Sequence, residues 1–281
     1  MHFRDIQSQY QALRPTQHPL DALNTVTETF TGHRFRGRLE ELLTRDNAKT
    51  IKGEKQGYLT GILYLAPNTE IPGLNLCPRA HEAGCPSLCL YRAGRGRYHK
   101  TQLARIRKTL LFYLEPAIFF AMLKADLHAL MAQALMANQI PAVRLNGTSD
   151  LLWERLKDPT TNRTILQLFP ELQFYDYTKL WGRQVPENYY LTLSYSEATV
   201  SFQRQMVTEA HRTGMNLAVV FDRKPFPTTF LGRRVIDGDT HDLRFLDPQG
   251  VIVALTAKGP AKKAAPGFVL PQDRFSVDNL A

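Results

Sequence analysis

The sequence predicts an α/β protein, built as a partial (β/α) barrel of about six parallel strands that follows a helical or irregular N-terminal extension. Strand-like and helix-like segments alternate from residue 57 onward, which is typical of parallel βαβ units. Several strand-like segments end in polar residues that are capable of chemistry, and the carboxyl ends of barrel strands converge on one mouth. An open doubly wound sheet, which would bring fewer strand ends together, is the alternative.

The chain divides into three parts. Residues 1–56 are polar and are predicted to be an extension that packs on the barrel. Residues 57–259 form the predicted barrel domain, and residues 260–281 form a loop-rich C-terminal tail. The strand-like segments of the barrel domain cover residues 57–67, 141–147, 172–179, 189–197, 216–222, 233–239 and 251–257.

Helices are predicted between these strands. The spacing of Leu103, Ile106 and Leu110 predicts one face of a helix, which Pro116 ends. Gly214 is predicted to cap the last helix of the chain. The other predicted helices cover residues 117–139, 163–169 and 198–213.

Composition and charge limit the class of protein. The chain is 43% hydrophobic and 22% charged, as soluble globular proteins are. We expect a cytoplasmic protein without a membrane partner, because no uncharged apolar stretch reaches about 18 residues and the N-terminus lacks the apolar core of a signal peptide. Residues 1–110 carry 17 basic and 9 acidic side chains, a net charge of +8, whereas residues 111–281 carry a net charge of +1. Such a concentration favours nucleic acid or another polyanion as partner, with a solvated helix face as the alternative.

All three cysteines, Cys77, Cys85 and Cys89, fall in the loop after the first predicted strand. In a reducing compartment, an odd number of clustered cysteines favours metal ligands or reactive thiols over disulfides. His81 stands midway between Cys77 and Cys85, so one interpretation is a structural zinc site with four ligands. Another is an iron–sulfur cluster bound by three thiolates, which leaves one iron open. A chance grouping is the third.

The position of this loop resembles that of the cluster loop in radical S-adenosylmethionine (SAM) enzymes, although their CxxxCxxC spacing is replaced here by C-x7-C-x3-C. The blocks CPRAHEAGCPSLCLYRAGRGR, VRLNGTSDLLWE, FYDYTK, LTLSYSE and VIDGDTHDLRFLDP also resemble the gene-88-protein family of phages and plasmids. This resemblance extends over residues 57–259 and, together with the radical SAM layout, implies a radical-SAM-like barrel.

The radical SAM resemblance implies roles by position. The [4Fe–4S] cluster would be bound by Cys77, Cys85 and Cys89, and it would reduce SAM with an electron from an external reductant. The end of the second strand, where that superfamily contacts the methionine part of SAM, holds Asn146, Ser149 and Asp150. The end of the fourth strand, where the ribose is contacted, holds Ser194 and Ser196.

Charged side chains beside these positions are further candidates. The predicted catalytic residues are Lys179, Asp176 and Glu197. Lys179 could bind a carboxylate or phosphate or act as a base, and a salt bridge at the rim is the alternative. The predicted nucleic-acid or anion-binding residues are Arg92, Arg95, Arg97 and Lys100.

The sequence therefore predicts an iron–sulfur enzyme that acts on DNA, RNA or a nucleotide-like anion. A zinc-stabilised, non-catalytic nucleic-acid-binding protein of a phage or plasmid is the alternative.

Overall fold

The computed structural model describes residues 1–46 and 48–275. Its helices are α1 (Phe3–Leu13), α2 (Pro19–Thr31), α3 (Ala48–Glu54), α4 (His99–Leu114), α5 (Pro116–Met136), α6 (Ile165–Leu168) and α7 (Val200–Thr213). Its strands are β1 (Leu43–Thr44), β2 (Tyr58–Leu63), β3 (Ile140–Arg144), β4 (Gln173–Thr178), β5 (Tyr189–Ser194), β6 (Leu217–Phe221), β7 (Thr229–Phe230), β8 (Arg233–Asp237), β9 (Ile252–Thr256) and β10 (Val269–Leu270). Each predicted strand segment coincides with a strand, and Gly214 caps α7 in the left-handed conformation, as predicted.

The strands form one large sheet in the order β1-β2-β3-β4-β5-β6-β9-β8-β7. Every pair from β2 to β8 in this order is parallel, whereas β1 and β7 are antiparallel to their neighbours. The protein is therefore a mixed α/β structure with a mostly parallel sheet, and the carboxyl ends of its strands lie along one edge. The closure of these strands into a partial barrel stays a prediction.

Strand β6 changes its neighbour along its length. Its first two residues pair with the end of β5, and its last two, Val220 and Phe221, pair with Val269 and Leu270 of β10. Strands β5 and β6 therefore separate toward their carboxyl ends, and the C-terminal part of the chain fills the opening.

The two faces of the sheet have different environments. One face packs in the main cores, where Phe174 of β4 and Val219 of β6 are fully buried. On the other face, Tyr177 of β4 and Val220 of β6 line a cavity. Because side chains alternate along a strand, this division assigns every second residue near the strand ends to the cavity.

Helix α5 is the one helix among the described residues that is long and apolar enough to cross a membrane by length and composition. It packs against β2 and β3 through Phe119, Leu123 and Leu127, which are fully buried. The same test is passed by core helices of soluble proteins, so it is weak evidence for a membrane. The charged Asp126 of this helix has a structural partner, since it accepts the backbone N–H groups of Leu42 and Leu43 at 2.6 and 2.9 Å.

The first 56 residues contribute to the same sheet. Strand β1 pairs with β2, while α2 packs against both α1 and α4. The predicted N-terminal extension is therefore tied to the domain by a strand as well as by helix packing.

Candidate active site

A cavity of about 310 Å³ lies at the carboxyl edge of the sheet. Its wall combines the cysteine loop, the loop that follows β3 and the ends of β4 to β6 and of β9. Of the residues that the sequence singled out, it brings together Cys77, Cys85, Cys89, Asn146, Ser149, Asp150, Lys179 and Ser194. These residues come from four separate segments of the chain, so the fold gathers most of the predicted site.

The cysteine loop is wound into successive turns. The N–H of Ala80 donates to the carbonyl of Cys77, and the N–H of Cys85 donates to the carbonyl of Ala80. Gly84 reverses the chain with a φ of +66°, and a Cβ at this position would lie 2.7 Å from that of Ala198. Both the conformation and the close approach require glycine. The loop is further held by Ser196, whose Oγ donates to the carbonyl of Ala83 at 2.8 Å.

The three thiols are free, partly buried and directed toward the same cavity. Burial raises the pKa of Cys77 to about 12 and raises the pKa of Cys89 as well. The Cys77 thiol donates to the carbonyl of Thr148 at 3.7 Å, and Cys89 Sγ accepts the N–H of Tyr91 at 3.5 Å. Among the described residues, no group of three or more His, Cys, Asp or Glu side chains is arranged so as to hold a metal ion.

Lys179 is the cation that faces these thiols. It follows β4, is partly buried and lines the cavity. Burial lowers the pKa of its ammonium group, but the surrounding thiols and Asp150 outweigh burial, so the net shift is upward. Lys179 is therefore held as a charged group beside sulfur ligands that would carry negative charge when deprotonated.

The loop after β3, residues 145–151, is ordered by Asn146. Asn146 Oδ1 accepts bonds from Ser149 Oγ at 2.9 Å, from the N–H of Leu151 at 2.9 Å and from Trp153 Nε1 at 3.2 Å. Trp153 is fully buried, so this loop is anchored in the core. Asn146 and Ser149 line the cavity, but their polar side-chain atoms already form hydrogen bonds within the loop.

Asp150 presents an unsatisfied carboxylate oxygen. One oxygen accepts the backbone N–H of Lys179 at 2.8 Å, while the other, Oδ1, is buried without a hydrogen-bond partner and lies 3.6 Å from Arg183. Burial raises the pKa of this carboxyl group. A buried acceptor that lines a cavity is suited to bind a donor group of a ligand, because an unpaired polar atom is costly in the empty site.

Behind the cysteine loop lies a second buried cation, Arg105. Its guanidinium stands 4.7 Å from the ring centre of Tyr64 and 5.4 Å from that of Tyr91, and the residue is 7% exposed. Its Nε and Nη1 groups have no hydrogen-bond partner. A guanidinium is always charged, and a buried charge normally has a partner of opposite sign. The neighbouring groups that could become negative are Tyr64, Tyr91 and Cys89, and of these Cys89 lines the cavity.

Three of the predicted catalytic and cofactor-binding residues do not line the cavity. Asp176 is completely buried on the opposite face of β4, where it accepts the N–H of Asn146 at 2.8 Å and the hydroxyl of Tyr189 at 2.9 Å. Burial raises the pKa of Asp176 to about 7. Ser196 holds the cysteine loop, as described above. Glu197 accepts the hydroxyl of Tyr195 at 2.8 Å and pairs with Arg274 at 2.5 Å.

The basic run divides into an inner and an outer group. Arg105, Arg107 and Lys108 of α4 turn inward. The outer group remains exposed, and none of its members lines the cavity: Arg92, Arg95, Arg97 and Lys100.

His81, the fourth ligand of the zinc interpretation, is exposed and does not line the cavity either.

Sequence reasoning assigned no site role to two charged residues that line the cavity, Arg144 and Lys52. Arg144, at the end of β3, is 4% exposed and pairs with Asp242 at 2.9 Å. Lys258 pairs with Asp239 at 2.9 Å, and Lys52 of α3 donates to the backbone carbonyl of Asp239. Arg144 ends a strand whose other residues are apolar. A charged residue at the carboxyl end of an apolar strand was the sequence signal that could have identified it.

The fold and the site define a mixed α/β protein with a thiol-lined, cation-bearing cavity at the carboxyl edge of a mostly parallel sheet. The chain belongs to the Gene product 88 family, whose model matches residues 41–272. The predicted membership of the gene-88 family is thereby confirmed, whereas the radical SAM resemblance stays a prediction. No curated protein and no solved structure is significantly similar to the chain.

Proposed function

We propose that this protein is an iron–sulfur enzyme of the radical-SAM-like kind, with a partial (β/α) barrel and a [4Fe–4S] cluster bound by Cys77, Cys85 and Cys89. The observation that carries the proposal is that three free thiols line one cavity together with the partly buried cation Lys179, while a buried cation, Arg105, lies beside Cys89. Three thiolates without such cations would repel one another in a site of low dielectric constant.

The donor type, three cysteine thiols, suits an anionic metal cluster, although the described residues do not arrange them around one metal position. Sulfur ligands are those that iron–sulfur clusters prefer, and Arg105 supplies positive charge beside Cys89, with its Nε and Nη1 groups lacking a hydrogen-bond partner among the described residues. When bound, a [4Fe–4S] cluster with three thiolate ligands supplies one-electron reduction at an open iron. Because thiols must lose their protons to bind metal, the raised pKa of Cys77 makes metal uptake favour higher pH.

The chain's own residues would bind and orient a second ligand, S-adenosylmethionine in this proposal. Asp150 Oδ1 would accept its ammonium group, because that oxygen is buried and accepts no hydrogen bond, its charge being balanced only by Arg183 at 3.6 Å and by Lys179. Ser194 lies across the cavity and offers a hydroxyl to a ribose. Asn146 and Ser149 shape the loop between them.

The substrate would be a nucleic acid or a nucleotide-like anion. Lys52, Arg144 and Lys258 line the side of the cavity formed by the last strands. Asp239 and Asp242 balance part of this charge, so the site would select a ligand with both anionic and donor groups. A cavity of about 310 Å³ is too small for a folded nucleic acid, so only a small anionic group of the substrate would enter it.

The exposed position of His81 favours a cluster over zinc. A structural zinc site would need a fourth protein ligand beside the three thiolates. His81 has its side chain on the outside of the loop, so it would have to turn inward.

Anaerobic reconstitution with ferrous iron and sulfide tests the proposal. We expect a brown protein that binds about four irons per chain, and a change in the electron paramagnetic resonance spectrum of the reduced cluster when S-adenosylmethionine is added. Cys85→Ser should lose most of the iron, whereas His81→Ala, the control within the same loop, should retain it. A colourless protein that binds a single zinc and loses it in His81→Ala would refute the proposal.

A further inference from the structure

A chain of polar and charged side chains runs behind the cavity and connects its two ends. It begins at Asp150, which lines the cavity beside the thiols, and it ends at Asp242, which lines the side formed by the last strands. Four side chains, none more than 4% exposed, lie between these two ends in the following order: Arg183, Tyr189, Asp176 and Arg144. Together the six side chains form a charge network.

The first half of the charge network leads from the thiol end of the cavity to the back of β4. Asp150 Oδ1 lies 3.6 Å from Arg183 Nη1, and Arg183 Nη2 donates to the hydroxyl of Tyr189 at 3.5 Å. Arg183 also pairs with Glu154 at 2.6 Å. The hydroxyl of Tyr189 in turn donates to Asp176 Oδ2 at 2.9 Å. Asp150 is thus connected to Asp176 through two intervening side chains.

The second half leads from Asp176 to the far end of the cavity. Asp176 Oδ1 lies 3.6 Å from Arg144 Nε, and Arg144 Nη1 donates to Asp242 Oδ2 at 2.9 Å. Arg144 therefore lies between two carboxyl groups, one behind the sheet and one in the cavity wall. Because these groups are buried, water screens their charges less than it would at the surface. A charge at either end of the network therefore acts on Asp176.

The network and its direct neighbours contain more acidic than basic side chains. The carboxyl groups are those of Asp150, Glu154, Asp176 and Asp242. The cations beside them are Arg144, Arg183 and Lys179. If every group were ionised, one negative charge would remain without a counter-charge, and a buried unpaired charge is costly. A single proton held by one of the carboxyl groups removes this excess.

Asp176 is the carboxyl group best placed to hold this proton. It is fully buried, whereas Asp150 and Asp242 line the cavity. Burial favours its neutral form, while the guanidinium groups and the donors around it favour its ionised form, and the balance leaves its pKa at about 7. The titratable and charged groups that face it are Arg144 of β3, Tyr175 of β4, Tyr189 of β5 and Arg183 of the loop after β4.

We propose that Asp176 is a positioning residue that exchanges a proton when the cavity is occupied. It releases the proton when a cationic group binds beside Asp150, and it takes one up when an anionic group binds beside Arg144. Its carboxyl group also accepts the N–H groups of Leu145 and Asn146 at 3.3 and 2.8 Å, so the proton changes the hold on the loop after β3. This coupling goes beyond the proposed function, because it requires no metal.

A carboxyl titration of the metal-free protein, labelled with ¹³C-aspartate and followed by nuclear magnetic resonance, tests the proposal. The resonance of Asp176 is identified by its loss in Asp176→Asn. Asp150→Asn removes one negative charge and so mimics a cation bound there. We expect the pKa of Asp176 to fall by about half a unit or more in this variant, and Asp242→Asn should lower it from the other end.

Asp158→Asn is the matched control. Asp158 is also fully buried and pairs with a cation, Lys124, at 2.6 Å, but it does not line the cavity. Its replacement should leave the pKa of Asp176 unchanged. Tyr189→Phe removes a hydroxyl that donates to Asp176 and should raise this pKa, which provides a second readout if Asp176→Asn fails to fold.

An equal pKa of Asp176 in the unmodified protein, Asp150→Asn and Asp242→Asn would overturn the proposal. So would a titration near neutral pH that persists in Asp176→Asn and is lost in Asp150→Asn, since the proton would then belong to Asp150. Failure of the protein to take up iron refutes the proposed function alone, because the carboxyl titration uses the metal-free protein.

Discussion

Replacing Arg105 by methionine separates the packing role of a buried cation from its role as a counter-charge. In the metal-free protein, the change removes two cation–π contacts, with Tyr64 and Tyr91, of about 1–2 kcal/mol each. It also removes two buried donor groups without partners, which cost about 1–3 kcal/mol each. These effects oppose each other, so we expect the free energy of unfolding to change by less than about 2 kcal/mol.

In the cluster-bound protein the expected effect is electrostatic. The Tyr91 ring contacts Arg105, and the Tyr91 N–H donates to Cys89 Sγ. The guanidinium and the cluster would then be separated by about one aromatic side chain, roughly 8 Å. Two unit charges at that separation interact with about 2 kcal/mol at an effective dielectric constant of about 20. Loss of the cation disfavours the more negative, reduced state. For a one-electron couple, about 2 kcal/mol corresponds to a midpoint potential lower by roughly 90 mV.

Arg107→Met is the matched control. Arg107 lies two residues further along α4 and is also 7% exposed, but its guanidinium stacks 5.1 Å from the ring centre of Phe35 and donates to the carbonyl of Gly37. Redox titration monitored by electron paramagnetic resonance, with thermal unfolding of the metal-free proteins, measures both effects. An equal shift of potential in the two variants, or no shift in Arg105→Met, would refute the reasoning.

Three further predictions concern the framework of the site. Burial lowers the pKa of Lys108 from 10.5 to about 8, so between these pH values the unfolded chain holds a proton that the folded chain has lost. The free energy of unfolding should therefore increase by up to about 3 kcal/mol as the pH rises from about 8 to 10.5. Denaturant titrations below and above this pH range measure the increase, which should be smaller in Lys108→Met. Asn146→Ala should lower the free energy of unfolding, measured by denaturant titration, by about 2–4 kcal/mol, because three donors to Oδ1 lose their acceptor. A decrease of less than about 1 kcal/mol would contradict this role. Gly147→Ala should lower the free energy of unfolding by about 1–3 kcal/mol, since the new Cβ would lie 2.7 Å from the carbonyl of Leu63. Gly57→Ala, where φ is +79° but the space is open, should lower it by about 1 kcal/mol. Equal decreases in the two variants would contradict the steric argument.

Most of the strand and helix pattern could be predicted because hydrophobic periodicity is local. The order of the strands also follows the chain from β2 to β6, as expected of successive βαβ units. Strand β10 could not be predicted from its two residues, Val269 and Leu270, because it forms only where β5 and β6 separate. That separation is a tertiary property and has no local signal in the sequence.

Site residues were predicted best from their position at the carboxyl end of a strand. They were predicted worst where the alternation of side chains between the two faces of the sheet was not considered. Lys179 and Tyr177 lie two residues apart and both line the cavity, while Asp176 belongs to the other face. The period of two in β4 could have separated them. The burial of Arg105 could not be predicted, since Arg107 and Lys108 lie close to it in α4 and only packing against Tyr64 and Tyr91 distinguishes Arg105 from them.

Strand β10 also affects the order in which the molecule is assembled during synthesis. The carbonyl of Gly267 accepts the N–H of Glu197 at 2.9 Å, and Phe268 forms part of the wall of the cavity at the carboxyl edge of the sheet. A nascent chain can pair β2 to β6 and wind the cysteine loop before residues 267–270 leave the ribosome. At that stage the part of the cavity wall that Phe268 supplies is still missing. The cavity can therefore be complete only after the C-terminal residues have paired with β6.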